Sequence, residues 1–396
     1  MARVLAIYGT RPEAVKVAPV VKSLRDSGRH EPVVAVTGQH PHLVEQIHRT
    51  LQVGADLDLR AFEPGQPLAS MTARVVERAS AAIAEVQPEL VLVQGDTTSA
   101  FAAGMAAFYA DVPLVHLEAG LRTGCRRAPF PEEMNRSLLG WLTDLHLAPT
   151  VAAKQNLVGE GVGASRVVVT GNTVIDALQE VLRISPPLQD RWLAEILADA
   201  IDSVRRPGIV TVTTHRRESW GAPMEEIFAA VSELARRYSG HRFVIPLHPN
   251  PLVRGAARTH LARRPNIHAV EPLCYPDFCQ LMAASTIVMT DSGGVQEEAP
   301  SLGVPVVVLR DTTERREAVS AGTAVLAGTR AGAIIRCVSE LIEDEERYGL
   351  MAQSVNPYGD GQAALRCVAA IDALTGGGER LPDFVPEPVS RVGAGL

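Results

Sequence analysis

Acidic residues stand just beyond apolar runs in the first half of the sequence. The run Leu90 to Gln94 leads into Gly95-Asp96-Thr97-Thr98, and a later one ends in His116-Leu117-Glu118-Ala119-Gly120-Leu121-Arg122-Thr123-Gly124. Further acids follow in Pro129-Phe130-Pro131-Glu132-Glu133-Met134-Asn135-Arg136. Acids carried at neighbouring strand ends of a parallel sheet are delivered into one crevice. There they raise one another's pKa and suit proton transfer near neutrality. Plainer readings compete. Asp96 before Thr-Thr is a good helix N-cap, and Glu132 and Glu133 suit the positive end of a helix dipole, with nothing to separate the two. Glu118 has no such alternative. His116 reads equally as a packed residue or a catalytic one.

A second set of residues suits anions. Gly9 permits a tight turn, Pro12 fits a first helical position, and Arg11 beside that helix start makes an anion site, with Lys16 one turn further on. In the second half, Thr213-Thr214-His215-Arg216-Arg217 and His248-Pro249-Asn250-Pro251 put polar clusters after apolar runs. Thr290-Asp291-Ser292-Gly293-Gly294 then lets backbone N–H groups approach a diphosphate, Glu298 one turn later can take a ribose hydroxyl pair, and Arg315 adds a cation. Tyr275 could stack on a base, although an aromatic there is more often core. No Cys or Asp joins these histidines, or His40 and His42, at ligand spacing, so no metal is expected.

Positioning these groups requires strands that end in a common place. Short β-branched runs recur at Val4 to Tyr8, Pro32 to Thr37, Leu90 to Gln94, Leu114 to Leu117, Leu145 to Ala148 and Val167 to Thr170. The second half repeats the rhythm at Ile209 to Thr213, Phe243 to Leu247, His268 to Val270, Ile287 to Thr290, Val306 to Leu309 and Ala324 to Leu326. Helical periodicity between them implies βαβ units and an α/β fold of two doubly wound, Rossmann-like domains facing a cleft. The spacing places an N-terminal domain at 1–190, a nucleotide-binding domain at 191–360, a helix at 361–378 that packs back on the first domain, and a flexible tail at 379–396. Arg183 to Pro207 reads as the crossing between the halves.

Composition narrows the function classes. The 396 residues carry 38 Lys and Arg against 45 Asp and Glu, a net charge of -7, which argues against broad binding to nucleic acid or anionic membrane. With 46% hydrophobic residues and only 4% aromatic, the core must be aliphatic. Five cysteines without a CxxC pair, an N-terminal apolar stretch too short for a signal peptide, and no run of about 18 apolar residues predict a soluble protein of the cytoplasm.

Taken together, Gly9-Thr-Arg-Pro-Glu-Ala, Gly95-Asp-Thr-Thr, His116-Leu-Glu-Ala-Gly-Leu-Arg-Thr-Gly, Asp291-Ser-Gly-Gly-Val-Gln-Glu-Glu-Ala-Pro and Asn356-Pro-Tyr-Gly-Asp-Gly form a highly specific set. From Val4 to about Ile371 the chain resembles the non-hydrolysing UDP-N-acetylglucosamine 2-epimerases. The resemblance implies a glycosyltransferase-B-like fold, a homodimer, and conversion of UDP-GlcNAc to UDP-ManNAc without an added cofactor, with UDP-GlcNAc and UDP as ligands. It implies catalytic or sugar-site roles for Asp96, Glu118, Glu132 and His215. Phosphate contacts are implied for Arg11, Arg315 and the Ser292-Gly293-Gly294 turn, and a ribose contact for Glu298. Lys16, Arg216, His248 and Tyr275 join the expected UDP site, and Gln39, His40 and His42 fall where the family holds a second, activating UDP-GlcNAc.

Three positions depart from the family's pattern. Thr214 replaces a usual Gly, Pro41-His42 replace an Arg and another polar residue, and Arg316 replaces a common Pro. Two rivals share the fold: a hydrolysing epimerase that releases ManNAc and UDP, and a glycosyltransferase with an external acceptor. A nucleotide-sugar sensor without activity is a third. The intact run Glu118 to Gly124 argues against the first, and the full set of acids against the others.

Overall fold

Seven runs of the first half pair in parallel as β1 (Ala2–Tyr8), β2 (His30–Val36), β3 (Leu57–Asp58), β4 (Leu90–Gln94), β5 (Leu114–Leu117), β6 (Leu145–Ala148) and β7 (Val167–Val169), in the order β3-β2-β1-β4-β5-β6-β7. The computed structural model describes residues 1–201, 208–214, 216, 219–261 and 264–386. A second parallel sheet contains β8 (Ile209–Thr213), β9 (Arg242–Pro246), β10 (Ile267–Val270), β11 (Ser285–Thr290), β12 (Val306–Val308) and β13 (Ala324–Leu326), in the order β10-β9-β8-β11-β12-β13. Both sheets are of the expected α/β class. β3 is the strand that the sequence did not signal, since two residues are too few to show a β-branched run.

Strands such as Leu90–Gln94 and Val306–Val308 are apolar at nearly every position because helices cover both faces of each sheet. Unit 1 comprises Met1–Glu180 with Tyr358–Val385, and unit 2 comprises Val181–Pro357. The core of unit 1 sets Leu5, Ile7, Val91 and Val93 against the alanines at 79, 82, 100, 103, 106 and 107. That of unit 2 sets Val210, Val212, Ile287 and Val307 against Phe228, Val231, Ile334 and Val338. Strand order reverses between β1 and β4 in unit 1 and between β8 and β11 in unit 2. Ligands of open α/β sheets bind beyond the strand ends at such switch points.

One segment differs from its reading as a connection. Within Arg183 to Pro207 lies the helix Arg191–Ile201, capped by Asp190, whose Oδ1 accepts the Leu193 N–H at 2.8 Å. It buries Leu193 and Ile196 among Ile209, Val244, Val270 and Leu281. The helix Ala363–Leu374 packs on the helix Arg11–Asp26, with Asp372 held by His30 Nε2 at 2.6 Å and Arg29 Nη2 at 2.5 Å. Beyond Glu379 the chain is still held. Phe384 is 3% exposed and donates its N–H to Val169 O at 2.7 Å, while Asp383 Oδ1 accepts the Val169 N–H at 3.0 Å. Among the described residues, no helix is long and apolar enough to cross a membrane.

Candidate active site

Glu118 follows β5 with φ at +64°, a left-handed backbone that costs a non-glycine residue on the order of 1 kcal/mol. Such strain persists only where neighbours over-determine it. Lys16 Nζ pairs with Glu118 Oε1, Asn172 Nδ2 donates to the same oxygen at 3.0 Å, and Gln94 Nε2 donates to Oε2. Each partner comes from a different place: the first helix, the end of β4 and the turn after β7. Lys16, expected at the UDP site, pairs with this carboxylate.

Asp96 sits beyond the end of β4. It is not the N-cap of the following helix, because Thr97 takes that position and its side chain accepts the Ala100 N–H at 3.0 Å. Arg136 Nη2 pairs with Asp96 Oδ2, and Asn135 Nδ2 donates to the Asp96 carbonyl at 2.9 Å. Burial, opposed by Arg136 and assisted by the charge of Glu118, holds the Asp96 carboxyl above the usual carboxylate range. Asp96, Glu118 and Lys16 therefore share one electrostatic neighbourhood.

Glu132 and Glu133 open the helix Glu132–Leu142, and the structure separates them. Glu133 is 4% exposed and accepts the N–H groups of Thr123, at 3.0 and 3.1 Å, and Gly124, at 2.9 Å, so it fixes the preceding loop. Glu132 Oε2 is buried with no hydrogen-bond partner among the described residues. Unsatisfied buried polar atoms are uncommon in folded proteins, and each calls for an explanation such as a water, an ion or a catalytic role. His116 is packed: its Nε2–H donates to Gly95 O at 2.7 Å, and burial lowers its pKa to about 4.

Arg11 begins the first helix, and no acid among the described residues pairs with it. His40 donates its backbone N–H to Gly9 O at 3.0 Å, and Gln39 Oε1 accepts from Ser99 Oγ at 3.3 Å, so the expected activating region adjoins the Gly9 turn. Burial, and then the charge of Arg11, lowers the His40 pKa. His42 and Pro41 are exposed at the start of the helix Pro41–Leu51.

Unit 2 gathers the other expected groups. Asp291 is fully buried after β11, and its Oδ2 accepts the Arg216 N–H at 3.0 Å and the Ser219 hydroxyl at 3.2 Å. Glu314 lies among three guanidinium groups, 3.0 Å from Arg216 Nη2, 2.7 Å from Arg310 Nη1 and 3.5 Å from Arg315 Nη1. Burial pushes Glu314 up, yet Arg315, Arg216 and Arg310 together outweigh it and hold its pKa at about 2. Arg315 Nε also meets Glu297 Oε1 at 2.7 Å. A Cβ on Gly293 would lie 3.3 Å from Arg315 Cζ, so glycine keeps the guanidinium against the Ser292-Gly293-Gly294 turn.

Tyr275 is 8% exposed and donates its hydroxyl to Glu298 Oε1 at 2.8 Å, which makes it a support for Glu298. His248 Nδ1 accepts the Asn250 N–H at 3.2 Å beside the Trp220 ring. His215 lies outside the described residues. Thr214 is buried and Arg316 is exposed at the start of a short helix, and nothing in the structure explains either departure. Among the described residues, no group of three or more His, Cys, Asp or Glu could hold a metal ion.

Gln94, Arg136 and Asn172 were missed in the sequence. Arg136 lies one helical turn beyond Glu132, and that spacing was a usable signal. Asn172 follows Gly171 just before a helix, the position of a cap. Gln94 ends an apolar run and gave none.

A parallel α/β unit with ion-paired acids at adjacent strand ends is built for acid–base chemistry. The comparisons with known proteins narrow the class. The UDP-N-acetylglucosamine 2-epimerase family model matches residues 22–372, and the chain belongs to that family. It is 44% identical over 371 residues to UDP-N-acetylglucosamine 2-epimerase of Escherichia coli K12, covering 93% of this chain and 98% of that protein. The Bacillus subtilis 168 enzyme of the same name is 43% identical, with 92% and 94% covered. The crystal structure of UDP-GlcNAc 2-epimerase from Neisseria meningitidis bound to UDP-GlcNAc superposes with a TM-score of 0.85 at 42% identity, covering 93% of this chain and 99% of that one.

Proposed function

We propose that this protein is a UDP-GlcNAc 2-epimerase of the non-hydrolysing kind, interconverting UDP-GlcNAc and UDP-ManNAc by elimination and re-addition of UDP. The observation that carries the chemistry is the set of acids in unit 1, two held by cations and one with a buried oxygen that has no partner among the described residues.

The C2 hydrogen of the sugar has no neighbouring carbonyl, so its removal as a simple carbanion is too costly. Coupled to departure of a stabilised diphosphate, the same step gives an alkene. A carboxylate takes the C2 proton, the C–H electron pair forms the C1=C2 bond of 2-acetamidoglucal, and the C1–O pair leaves with UDP. On return, a UDP oxygen attacks C1 and an acid delivers a proton to the opposite face of C2. Asp96, Glu118 and Glu132 supply the proton-transfer groups, and His215 assists the departing charge. Arg11, Arg315 and the Ser292-Gly293-Gly294 turn bind phosphate, with Arg216 and His248 beside the UDP. Glu298, held by Tyr275, takes the ribose hydroxyls.

Incubation with UDP-GlcNAc alone, followed by NMR, tests the reading. UDP-ManNAc is expected to accumulate to a constant ratio with UDP-GlcNAc. Stoichiometric ManNAc and UDP would assign the hydrolysing reaction instead, and unchanged substrate would leave a glycosyltransferase or a sensor.

A further inference from the structure

The motif Asn356-Pro357-Tyr358-Gly359-Asp360-Gly361 has no role in the reaction as written, yet its unit 1 portion is built into the surroundings of Glu118. Tyr358 is 1% exposed, and its carbonyl accepts the Asn172 N–H at 2.6 Å. Gly359 permits this approach, since a Cβ there would meet Ile175 Cγ1 at 3.2 Å and Asn172 O at 3.4 Å. Gly171 faces it with φ at +82°, and a Cβ on Gly171 would lie 3.4 Å from Gly359 Cα. Just beyond the turn, Asp176 accepts the N–H groups of Ala363 and Ala364 at 3.3 and 2.8 Å. The turn and the helix after it thus grip the start of the helix Thr173–Ile184 through backbone contacts.

Asn172 is the residue this grip holds. It is 3% exposed, and its Oδ1 accepts the Val174 N–H at 3.1 Å. That bond fixes which end of the amide is which, and so directs Nδ2 at Glu118 Oε1, 3.0 Å away. The next residue, Thr173, donates its hydroxyl to Lys16 O at 2.6 Å, so the same segment also steadies the helix that carries the cation paired with Glu118. A carboxylate on a strained left-handed backbone depends on external bonds to keep its orientation.

We infer that the turn Tyr358–Gly361 is a positioning device for Glu118, acting through the side-chain amide of Asn172. The inference rests on the epimerase reading, in which Glu118 is a proton-transfer group. Asn172 touches that group and is placed here as a positioning residue.

Two substitutions separate positioning from plain structural support. Asn172→Asp keeps an oxygen for the Val174 N–H but turns an acceptor toward Glu118 in place of a donor. Gly359→Ala leaves Asn172 intact and pushes the turn away from it. Steady-state assays with UDP-GlcNAc, calorimetry with UDP and thermal melts are run on the full chain. For Asn172→Asp, kcat is expected to fall about a hundred-fold, the loss that a misplacement of roughly an ångström produces, with KM and UDP affinity within about two-fold and a near-normal Tm. For Gly359→Ala the expected loss in kcat is about ten-fold, again with KM kept. Wild-type kcat in either variant overturns the inference, and so does a loss confined to KM. If Asn172→Asp does not fold, Asn172→Ser, which keeps a capping oxygen on a side chain too short to reach Glu118, decides by the same criterion. A wild-type protein that makes no UDP-ManNAc overturns the epimerase reading itself. Active wild type with fully active variants overturns only this inference.

Discussion

Lys16 and Glu118, 102 residues apart in sequence, form an ion pair with side chains only 11% and 9% exposed. The pair ties the first helix to the end of β5 and places the proposed proton-transfer group beside a cation. Glu118→Gln keeps the shape and an acceptor for Lys16 but removes that group. Turnover is expected to fall by about 10²- to 10⁴-fold, the usual contribution of one positioned acid or base. UDP affinity measured by calorimetry is expected to hold, because Glu118 is not among the residues proposed to contact phosphate. Near-normal kcat would remove Glu118 from the chemistry.

Adjacent glutamates are expected to behave in opposite ways. Glu132, whose Oε2 has no hydrogen-bond partner among the described residues, is proposed as a proton-transfer group, so Glu132→Gln is expected to lower kcat sharply and leave the melting temperature near its starting value. Glu133 secures the loop through the Thr123 and Gly124 N–H groups, so Glu133→Ala leaves those donors unmet at a cost of about 1–3 kcal/mol. Thermal melts and rates on the two variants check the split. An unchanged melt for Glu133→Ala would contradict it.

The strand ends carrying Asp96 and Glu118 were legible because a β-branched run announces itself within a few residues. Their partners were not. Arg136 reaches Asp96 across 40 residues and Asn172 reaches Glu118 across 54, and local pattern holds no trace of such pairings. Neighbouring Glu132 and Glu133 share one helix start, so only the direction of each side chain tells them apart. Thr97 takes the cap that Asp96 was equally suited to by type. Leu193 and Ile196 show why the segment read as a crossing is a packed helix: its apolar face was hidden behind two prolines and an exposed Trp192.

Glu298 in unit 2 is 5% exposed and receives the Tyr275 hydroxyl at 2.8 Å. Its proposed partner is ribose, so Glu298→Ala is expected to act on nucleotide affinity. Loss of a charge-assisted hydrogen bond costs about 1.5–3 kcal/mol, or roughly ten-fold to more than a hundred-fold in Kd for UDP. Unchanged UDP affinity would refute the assignment.

His116 and His146 face each other across β5 and β6, and burial lowers their pKa values to about 4 and about 3. Each is neutral in the fold, whereas the unfolded chain takes up a proton near pH 6.5. Between the folded value and about 6.5 the unfolded state therefore binds more protons. Stability is full above that window and is lost as pH falls through it. A depression of this size for His116 corresponds to roughly 3 kcal/mol at about 1.4 kcal/mol per pKa unit. Urea unfolding of wild type and His116→Gln at several pH values checks this, with a shallower pH slope expected in the variant. Equal slopes would show that His116 does not contribute.

The proposed elimination makes a demand that can be tested at two bonds. In D2O, product UDP-ManNAc is expected to carry deuterium at C2, because a carboxylate proton equilibrates with water unless one shielded group returns it. An oxidation through a 3-keto sugar could also introduce deuterium, but it needs a tightly held nicotinamide, and no GxGxxG follows any strand of this chain. The C1–O bond separates the two routes. Elimination breaks it in every turnover, and UDP freed at the site can rotate its terminal phosphate before it returns. Substrate labelled with ¹⁸O at the anomeric oxygen is therefore expected to scramble the label among the oxygens of that phosphate, and long incubations to release a little UDP with 2-acetamidoglucal. Full retention of the label at the anomeric position through many turnovers would exclude the elimination, even with Asp96, Glu118 and Glu132 assigned correctly as the acids involved.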